Sequence, residues 1–259
     1  MNATRTAWRF VSLPLLGITA GALLWLLAPL AAYGQCDLLD LIVVVDGSGS
    51  MDEETAEVQQ ALPGLIQVFA ARGFETRLVL IADDSGGSPG ICLPAPLGSG
   101  SCPGDENLPG YRHVVLEVAS NSALSDLLGT YDQYSAALRS GAQRSILVVT
   151  DDDSDLSAAQ FTVQLQARPG FDDFRFHAAA LATEPIPPVP PPGVCWRGGQ
   201  AGVQGTVYLT LVAQRGGYFH DFCLAEDLDP SWDPLSLTVA IFVDSFDSGS
   251  TEDWSAVAP

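Results

Sequence analysis

The sequence predicts an α/β protein with a doubly wound, mainly parallel central sheet flanked by helices. Two segments, 41–45 and 145–149, are nearly continuous runs of apolar, mostly β-branched residues. Such runs are typical of strands that are buried on both faces, as in parallel sheets. Strand-like and helix-like segments also alternate from about residue 37 to residue 243. This alternation indicates parallel strands connected by helices that cover both faces of the sheet.

Six segments have the composition of strands, and five have the composition of helices. The expected strands are 41–45, 76–82, 111–119, 145–149, 174–182 and 218–223. The expected helices are 52–73, 123–140, 156–167, 206–215 and 229–243.

Proline and glycine predict where the helices and strands are interrupted. Pro63-Gly64 should kink the first helix or divide it into two shorter ones. Gly129-Thr130 should break the second helix. The Gly-, Pro- and Ser-rich stretch 83–110 is expected to be a long loop, the kind of loop that is usually functional or disordered. The stretch 183–205 is also expected to be a loop, with polyproline II conformation in its proline run.

The first strand ends in a short polar segment, Asp46 to Ser50, that reads Asp-Gly-Ser-Gly-Ser. Its two glycines allow a sharp turn that stays open to solvent. One carboxylate and two hydroxyls then lie at the carboxyl end of a central strand, where open α/β sheets bind ligands. Hard oxygen ligands of this kind favour Mg²⁺ or a similar hard divalent cation.

The segment Asp46 to Ser50, placed after an apolar strand, resembles the Asp-x-Ser-x-Ser motif of von Willebrand factor A domains. In that family the motif forms the first loop of the metal-ion-dependent adhesion site. The strand 145–149 followed by Thr-Asp resembles the family's third loop, with Asp151 at the aspartate position. The resemblance covers most of the chain, although only the metal loops are specific to the family.

The second metal loop departs from the family pattern. The family places a threonine ahead of the helix between these strands, whereas this chain has no threonine between Thr76 and Thr130. Ser122 or Ser120 would have to replace it, and Ser122 is the residue we expect to do so. Ser122 is also well placed to cap the following helix, a role that is compatible with metal binding.

The resemblance implies a binding module and not an enzyme. It implies a metal site that contains Mg²⁺, Mn²⁺ or Ca²⁺, with an acidic side chain of a protein partner completing the coordination. The implied metal-site residues are Asp46, Ser48, Ser50, Ser122 and Asp151, the two aspartates acting directly or through water.

Two alternatives to a metal-dependent binding module remain open. The missing threonine favours a degenerate, structural A domain that binds no metal. A hydrolase is the other alternative, but a phosphatase of the haloacid dehalogenase type would need a second aspartate where this chain has Ser48. The three histidines lie in strand-like segments, and we expect structural roles for them: His113, His177 and His220.

The chain is strongly acidic, with 31 acidic residues, 11 arginines and no lysine, for a formal net charge of −20. Such a surface repels nucleic acids and anionic lipids and attracts cations. We therefore expect no nucleic-acid partner. A saline habitat would favour the same composition, so the charge alone does not specify a partner.

Residues 1–34 are predicted to form an export signal. Arg5 and Arg9 precede a largely apolar stretch, and Ala32-Tyr33-Gly34 offers small residues at a cleavage site. The protein is therefore expected to be secreted, periplasmic or at the cell surface. The alternative is an anchor formed by residues 11–32, because this stretch is long enough to span a bilayer.

The five cysteines of an exported chain predict disulfides. We expect Cys92–Cys102, which would close the long loop, and Cys195–Cys223, with Cys36 left over. Residues 244–259 form an acidic tail that resembles the short Phe-Glu-Ser-Gly-x-x-x-x-Trp-Ser segment at the ends of many exported proteobacterial proteins. A sorting role, the remnant of another module and a disordered tail all remain open for it.

Overall fold

The structure is a computed structural model. It describes residues 37–84, 90–181, 194–197 and 200–221, with the backbone alone for 194–197, 200 and 201. The predicted signal, final helix and acidic tail, the proline run and the Cys195–Cys223 pair lie outside these residues or side chains. Among the described residues, no helix is long and apolar enough to cross a membrane.

The described residues form eight strands and five α-helices. The strands are β1 (Asp37–Val45), β2 (Phe74–Ala82), β3 (Tyr111–Val115), β4 (Gln143–Val149), β5 (Arg175–Ala180), β6 (Val194–Arg197), β7 (Gln200–Val203) and β8 (Phe219–Asp221). The helices are α1 (Asp52–Ala71), α2 (Ala123–Gly129), α3 (Tyr131–Tyr134), α4 (Ala158–Gln166) and α5 (Thr206–Arg215).

The main sheet confirms the predicted fold class. Its six described strands are ordered β3-β2-β1-β4-β5-β8, and each neighbouring pair is parallel. The chain first adds strands on one side of β1 and then continues from β4 on the other side. The pair β1–β4 is therefore the point at which the winding reverses, and ligands of open α/β sheets bind at this point.

Alternate residues of β1 are buried in two different cores. Leu41 and Val43 pack in the core that contains Leu62 and Phe69 of α1. Ile42 and Val44 pack in the core that contains side chains of α2 to α5. Because both faces are covered, the strand needs apolar residues at successive positions, which explains the continuous apolar run in the sequence.

Helix α1 is continuous, so the expected division into two shorter helices is wrong, while the alternative of a kink at Pro63 stays a prediction. Pro63 lies inside it. A proline within a helix costs about 3 kcal/mol or more. The buried side chains on either side, Leu62 and Leu65, pack against the sheet and offset this cost. The helix begins with three acidic residues in its first turn, which suits the helix dipole.

The other interruptions were predicted with mixed success. The break at Gly129-Thr130 is confirmed, since α2 ends at Gly129 and α3 begins at Tyr131. The long loop 83–110 is confirmed in its described part, and Cys92 and Cys102 form the expected disulfide with a Cα–Cα distance of 5.9 Å. The prediction that 183–205 is entirely loop is wrong, because β6 and β7 form an antiparallel pair there.

The amino-terminal end of β1 is held by a buried ion-pair network. The carboxylate of Asp40, which is 0% exposed, accepts a hydrogen bond from Arg139 Nε at 2.8 Å and another from Arg144 Nη1 at 2.6 Å. Arg139 also donates to the exposed Glu75 at 2.9 Å. One buried negative charge on β1 is thus compensated by two guanidinium groups.

Replacing Asp40 with alanine should lower the free energy of unfolding by about 3–5 kcal/mol, because two arginines would lose their shared buried partner. Urea unfolding monitored by circular dichroism measures this change. The control is Glu75→Ala, which removes the exposed carboxylate from Arg139 and should cost no more than about 1 kcal/mol. Equal losses in the two variants would contradict the importance of the Asp40 network.

The second fold prediction concerns His177 in β5. Burial, and then the nearby charge of Arg175, lower the pKa of its imidazole from 6.5 to about 3. Its Nδ1 accepts a hydrogen bond from the backbone N–H of Tyr218 at 3.0 Å, which requires the unprotonated nitrogen. The imidazole of His177 is therefore neutral in the folded protein.

Because the pKa is lower in the folded state, the stabilisation is complete above pH 6.5 and is lost as the pH falls toward 3. The loss at pH 4.5 should be about 2–3 kcal/mol. The slope of unfolding free energy against pH between 6.5 and 4.5 should be smaller in His177→Gln than in the wild type. Identical slopes would contradict the assignment.

Candidate functional site

The first polar loop begins with a carboxylate that is completely buried. Asp46, which directly follows β1, is 0% exposed. Its Oδ1 accepts a hydrogen bond from Ser48 N at 2.7 Å. The hydroxyls of Ser48 and Ser50 lie 3.1 Å apart. A 3-10 turn, Gly49–Met51, follows and is anchored by the buried Met51. The three predicted first-loop ligands are thus brought together.

The third loop contacts the first loop through Thr150. Its hydroxyl donates to Asp46 Oδ2 at 2.7 Å and accepts from Asp152 N at 3.2 Å. The backbone N–H of Asp46 donates to the Val149 carbonyl at 2.9 Å. The contact between the ends of β1 and β4 is therefore made by side chains as well as by the backbone.

The second loop, residues 116–122 between β3 and α2, reaches the first and third loops although β3 lies at the edge of the sheet. The carbonyl of Val118 accepts from Gly47 N at 2.8 Å. The carbonyl oxygen of Ser120 lies 3.4 Å from Thr150 Oγ1. The side chain of Ser120 lies near Asp152 and opposes the rise in the pKa of its carboxyl that burial causes. Ser120 is thus the serine that lies against the third loop, whereas Val118 makes the contact with the first loop.

The described contacts of Ser122 are those of a turn at the start of a helix. Ser122 immediately precedes α2. Its hydroxyl accepts from Ala119 N at 2.9 Å and donates to the carboxylate of Asp126 in the first turn. The expected capping role is wrong, because the side chain of Ser122 accepts no hydrogen bond from a backbone N–H of α2. Its role as a metal ligand stays a prediction.

Asp151 lies among other carboxylates in a partly buried position. Burial raises the pKa of its carboxyl to about 6, a hydrogen bond from Ser50 opposes this rise, and the nearby Asp152 and Asp46 add to it. Its Oδ1 atom is buried and has no hydrogen-bond partner in the described part of the chain. Burial also raises the pKa of Asp152. The local environment therefore disfavours the accumulated negative charge.

The two buried aspartates at the ends of β1 have different surroundings. Asp40 is paired with two arginines, as described above. The ion pairs found among the described residues include none that involves Asp46 or Asp151. The hydrogen bonds of Asp46 come instead from a backbone N–H and a hydroxyl.

A hard divalent cation fits this donor set. The converging groups are carboxylate and hydroxyl oxygens, the ligand type that Mg²⁺, Mn²⁺ and Ca²⁺ prefer. A cation would supply the missing positive charge and give the unpartnered oxygen of Asp151 a ligand role. The residues that could hold it are Asp46, Ser48, Ser50, Ser120 and Asp151.

Asp153, which follows Asp151 and Asp152 in the third loop, has a different role. Asp153 Oδ1 accepts from the backbone N–H of Ser154 at 2.9 Å and from that of Val207, in the first turn of α5, at 3.0 Å. A carboxylate at this position satisfies a helix-terminal N–H and favours the helix dipole. The carboxylate of Asp153 therefore caps α5 from a different loop.

A second group of potential ligands is already occupied by other bonds. The sulfurs of Cys92 and Cys102 and a carboxylate oxygen of Asp105 lie within 4.8 Å of one another. The sulfurs form the disulfide. Asp105 accepts from Tyr111 at 3.0 Å and lies 2.6 Å from His113 Nδ1. We assign no metal to this group.

The histidines lie in strands, as predicted. His113 is in β3, His177 in β5 and His220 in β8. The contacts of His113 are with the buried Asp105 and with the carbonyl of Ala82, at 3.2 Å. These contacts are those of a structural residue.

Sequence reasoning missed two features of the site. Thr150 was recognised as part of the third loop but was not predicted to contact Asp46. Its position directly after a buried strand was the available signal, since the neighbouring strand ends in Asp46. The contact of β7 with the third loop, in which Val203 N donates to the Asp151 carbonyl at 2.9 Å, was also missed. The glycine-containing sequence of β7, Gln-Ala-Gly-Val, has no strand-like apolar alternation.

Comparisons with known proteins do not place the chain in a family. No protein-family model and no curated protein matches it. One similar solved structure is a protein of the isochorismatase family of hydrolases from Chromobacterium violaceum. It is 16% identical, and the match covers 78% of this chain and 95% of that one with a TM-score of 0.26. A likeness this distant has no bearing on the function of the chain.

Replacing Thr150 with valine should lower the free energy of unfolding by about 1–3 kcal/mol, because the buried Asp46 carboxylate would lose a donor. Urea unfolding in the presence of EDTA measures this without a contribution from bound metal. The control is Thr210→Val on α5, where the hydroxyl bonds only to the exposed helix backbone at Thr206. A loss no larger than that of the control would show that the Thr150–Asp46 bond adds little.

Proposed function

We propose that this protein is a binding module that holds a divalent cation at the carboxyl ends of β1 and β4 and uses it to bind an acidic group of a protein partner. The observation that carries the proposal is the contrast along β1. Asp40 has two arginines, whereas Asp46 lies among hydroxyls and further carboxylates. Buried charges in proteins are paired or coordinate metals.

The donor set matches the one implied by the von Willebrand factor A resemblance, with one adjustment. The first loop offers Asp46, Ser48 and Ser50, and the third offers Asp151. For the second loop, the position of Ser120 beside Thr150 and Asp152 supports Ser120 as a candidate alongside the expected Ser122. When bound, the cation supplies a positive charge with an open coordination position for a carboxylate.

The charge of the chain supports dependence on a cation. With a net charge of −20, the protein repels acidic partners at long range. The carboxylate cluster would repel them at short range as well. An acidic partner group can be attracted to this edge of the sheet only when positive charge is supplied there, so partner binding should be lost on addition of EDTA.

A degenerate scaffold without metal is the second candidate. It is supported by the hydrogen bonds that Asp46 already accepts from Ser48 N and Thr150 Oγ1. These bonds stabilise the carboxylate even in a cation-free protein. Direct measurement of metal binding separates the two candidates.

Calorimetric titration of Mg²⁺, Mn²⁺ and Ca²⁺ into the purified protein should show saturable binding to one site. Asp46→Asn removes the central charge with little change in shape and should weaken the affinity at least tenfold. The control is Asp132→Asn, which removes an exposed carboxylate on α3. Absence of binding, or equal affinities in all three proteins, would support the scaffold.

The partner chemistry is tested with short peptides immobilised on a surface, each containing one aspartate or glutamate, and with their amide counterparts. The acidic peptides should be retained with Mg²⁺ or Mn²⁺ and released by EDTA. Retention that does not distinguish acid from amide would contradict a carboxylate partner.

A further inference from the structure

The segment that ends β7 and leads into α5, residues 202–207, lies directly against the third loop. Val203 N donates to the Asp151 carbonyl at 2.9 Å, and Val207 N donates to Asp153 Oδ1 at 3.0 Å. Gly205 N donates to the carbonyl of Leu181, just after β5, at 2.8 Å. Two residues of the third loop are therefore hydrogen-bonded to one short segment about 50 residues later in the chain.

Gly202 makes the closest approach in this segment. A Cβ atom added there would overlap the carbonyl oxygen of Asp151 and a methyl group of Leu181, and it would lie 3.2 Å from Asp151 Cβ. No side chain larger than hydrogen fits without a shift of the third loop or of β7. The backbone of β7 is thus in direct contact with the residue that the proposed function places at the metal.

The third loop needs such support for an electrostatic reason. Asp151, Asp152 and Asp46 lie near one another, and neighbouring carboxylates repel. Without a bound cation this repulsion favours movement of the loop outward into water. The hydrogen bonds from residues 202–207 oppose that movement.

We infer that residues 202–207 position the third loop for cation binding, with Gly202 as the residue that permits the required backbone contact. This inference rests on the proposed function. None of the residues proposed above to hold the cation belongs to this segment. It acts through Asp151 by fixing the carbonyl of Asp151 and the side chain of Asp153 two residues later, as outer partners of metal ligands commonly do.

A merely structural role for Gly202 would give a different result. In that case Gly202→Ala would destabilise the whole protein without a specific effect on the third loop. The matched control is Gly170→Ala at the opposite edge of the sheet. Gly170 has a φ of +85°, so alanine is strained there, and its nearest side-chain contact is Arg144 at 3.4 Å. Within 4 Å of a Cβ added at Gly170, the described residues present only atoms of Arg144 and none of the third loop.

The first measurement is amide hydrogen exchange in the purified full chain without metal. Gly202→Ala should increase exchange selectively in peptides that cover residues 150–155 and 202–207. Gly170→Ala should leave these peptides as in the wild type. A uniform increase across the protein in Gly202→Ala, or none in 150–155, would overturn the positioning role.

The second measurement is Mn²⁺ affinity by electron paramagnetic resonance, at a temperature where circular dichroism shows each variant to be folded. Gly202→Ala should bind Mn²⁺ at least tenfold more weakly than wild type, and Gly170→Ala should stay within twofold. Wild-type affinity in Gly202→Ala would overturn the inference. Wild-type protein that binds no Mn²⁺ would refute the proposed function, while hydrogen exchange would still decide whether the segment fixes the loop.

A second pair of variants keeps the inference testable if Gly202→Ala does not fold. Asp153→Ala removes the acceptor for Val207 N, whereas Asp153→Asn removes the charge and keeps an oxygen acceptor. Exchange in residues 150–155 and Mn²⁺ affinity should change several-fold more in Asp153→Ala than in Asp153→Asn. Equal changes would show that only the charge of Asp153 matters, and this result would overturn the positioning role of residues 202–207.

Discussion

The structure depends on burying β1 on both faces while the strand carries an aspartate near each end. A buried carboxylate is costly unless it is hydrogen-bonded and its charge is compensated. Asp40 is compensated by Arg139 and Arg144, which connect β1 to the start of β4. Asp46 receives hydrogen bonds from Ser48 N and Thr150 Oγ1. The charge of Asp40 is compensated within the chain, and the carboxylate of Asp46 is where we propose that a cation binds.

The site is assembled by loops that are far apart in sequence and meet where the winding of the sheet reverses. The first loop follows β1, and the third follows the neighbouring β4. The second loop returns from the edge strand β3 and reaches Gly47 through the carbonyl of Val118. Residues 202–207 also contact the third loop, through hydrogen bonds to Asp151 and Asp153. A rigid sheet thus fixes the origins of the loops, and hydrogen bonds between the loops fix their ends.

Much of the fold could be predicted because apolar residues follow the period of each buried element. The strands around 41–45 and 145–149 and the helix 206–215 needed only local pattern. The division of α1 at Pro63 was predicted wrongly because the local preference of proline opposes a helix. The packing of Leu62 and Leu65 outweighs that preference. The β6–β7 pair was missed because its residues form a strand by pairing with each other and by contacting Asp151, which no local pattern reveals.

The sequence by itself determined the fold class and the chemistry of the first loop. Continuous, mostly β-branched apolar runs are typical of strands buried on both faces, and Asp-Gly-Ser-Gly-Ser after such a run places carboxylate and hydroxyl side chains at its end. The tertiary structure decided which groups join them. It brought Thr150 to Asp46, directed Ser120 toward Asp152 and Ser122 toward Asp126, and placed Gly202 against Asp151. Apart from the local contact between Ser122 and Asp126, these contacts join residues that are distant along the chain, so they arise only when the strands pair in one order and the loops meet at one edge.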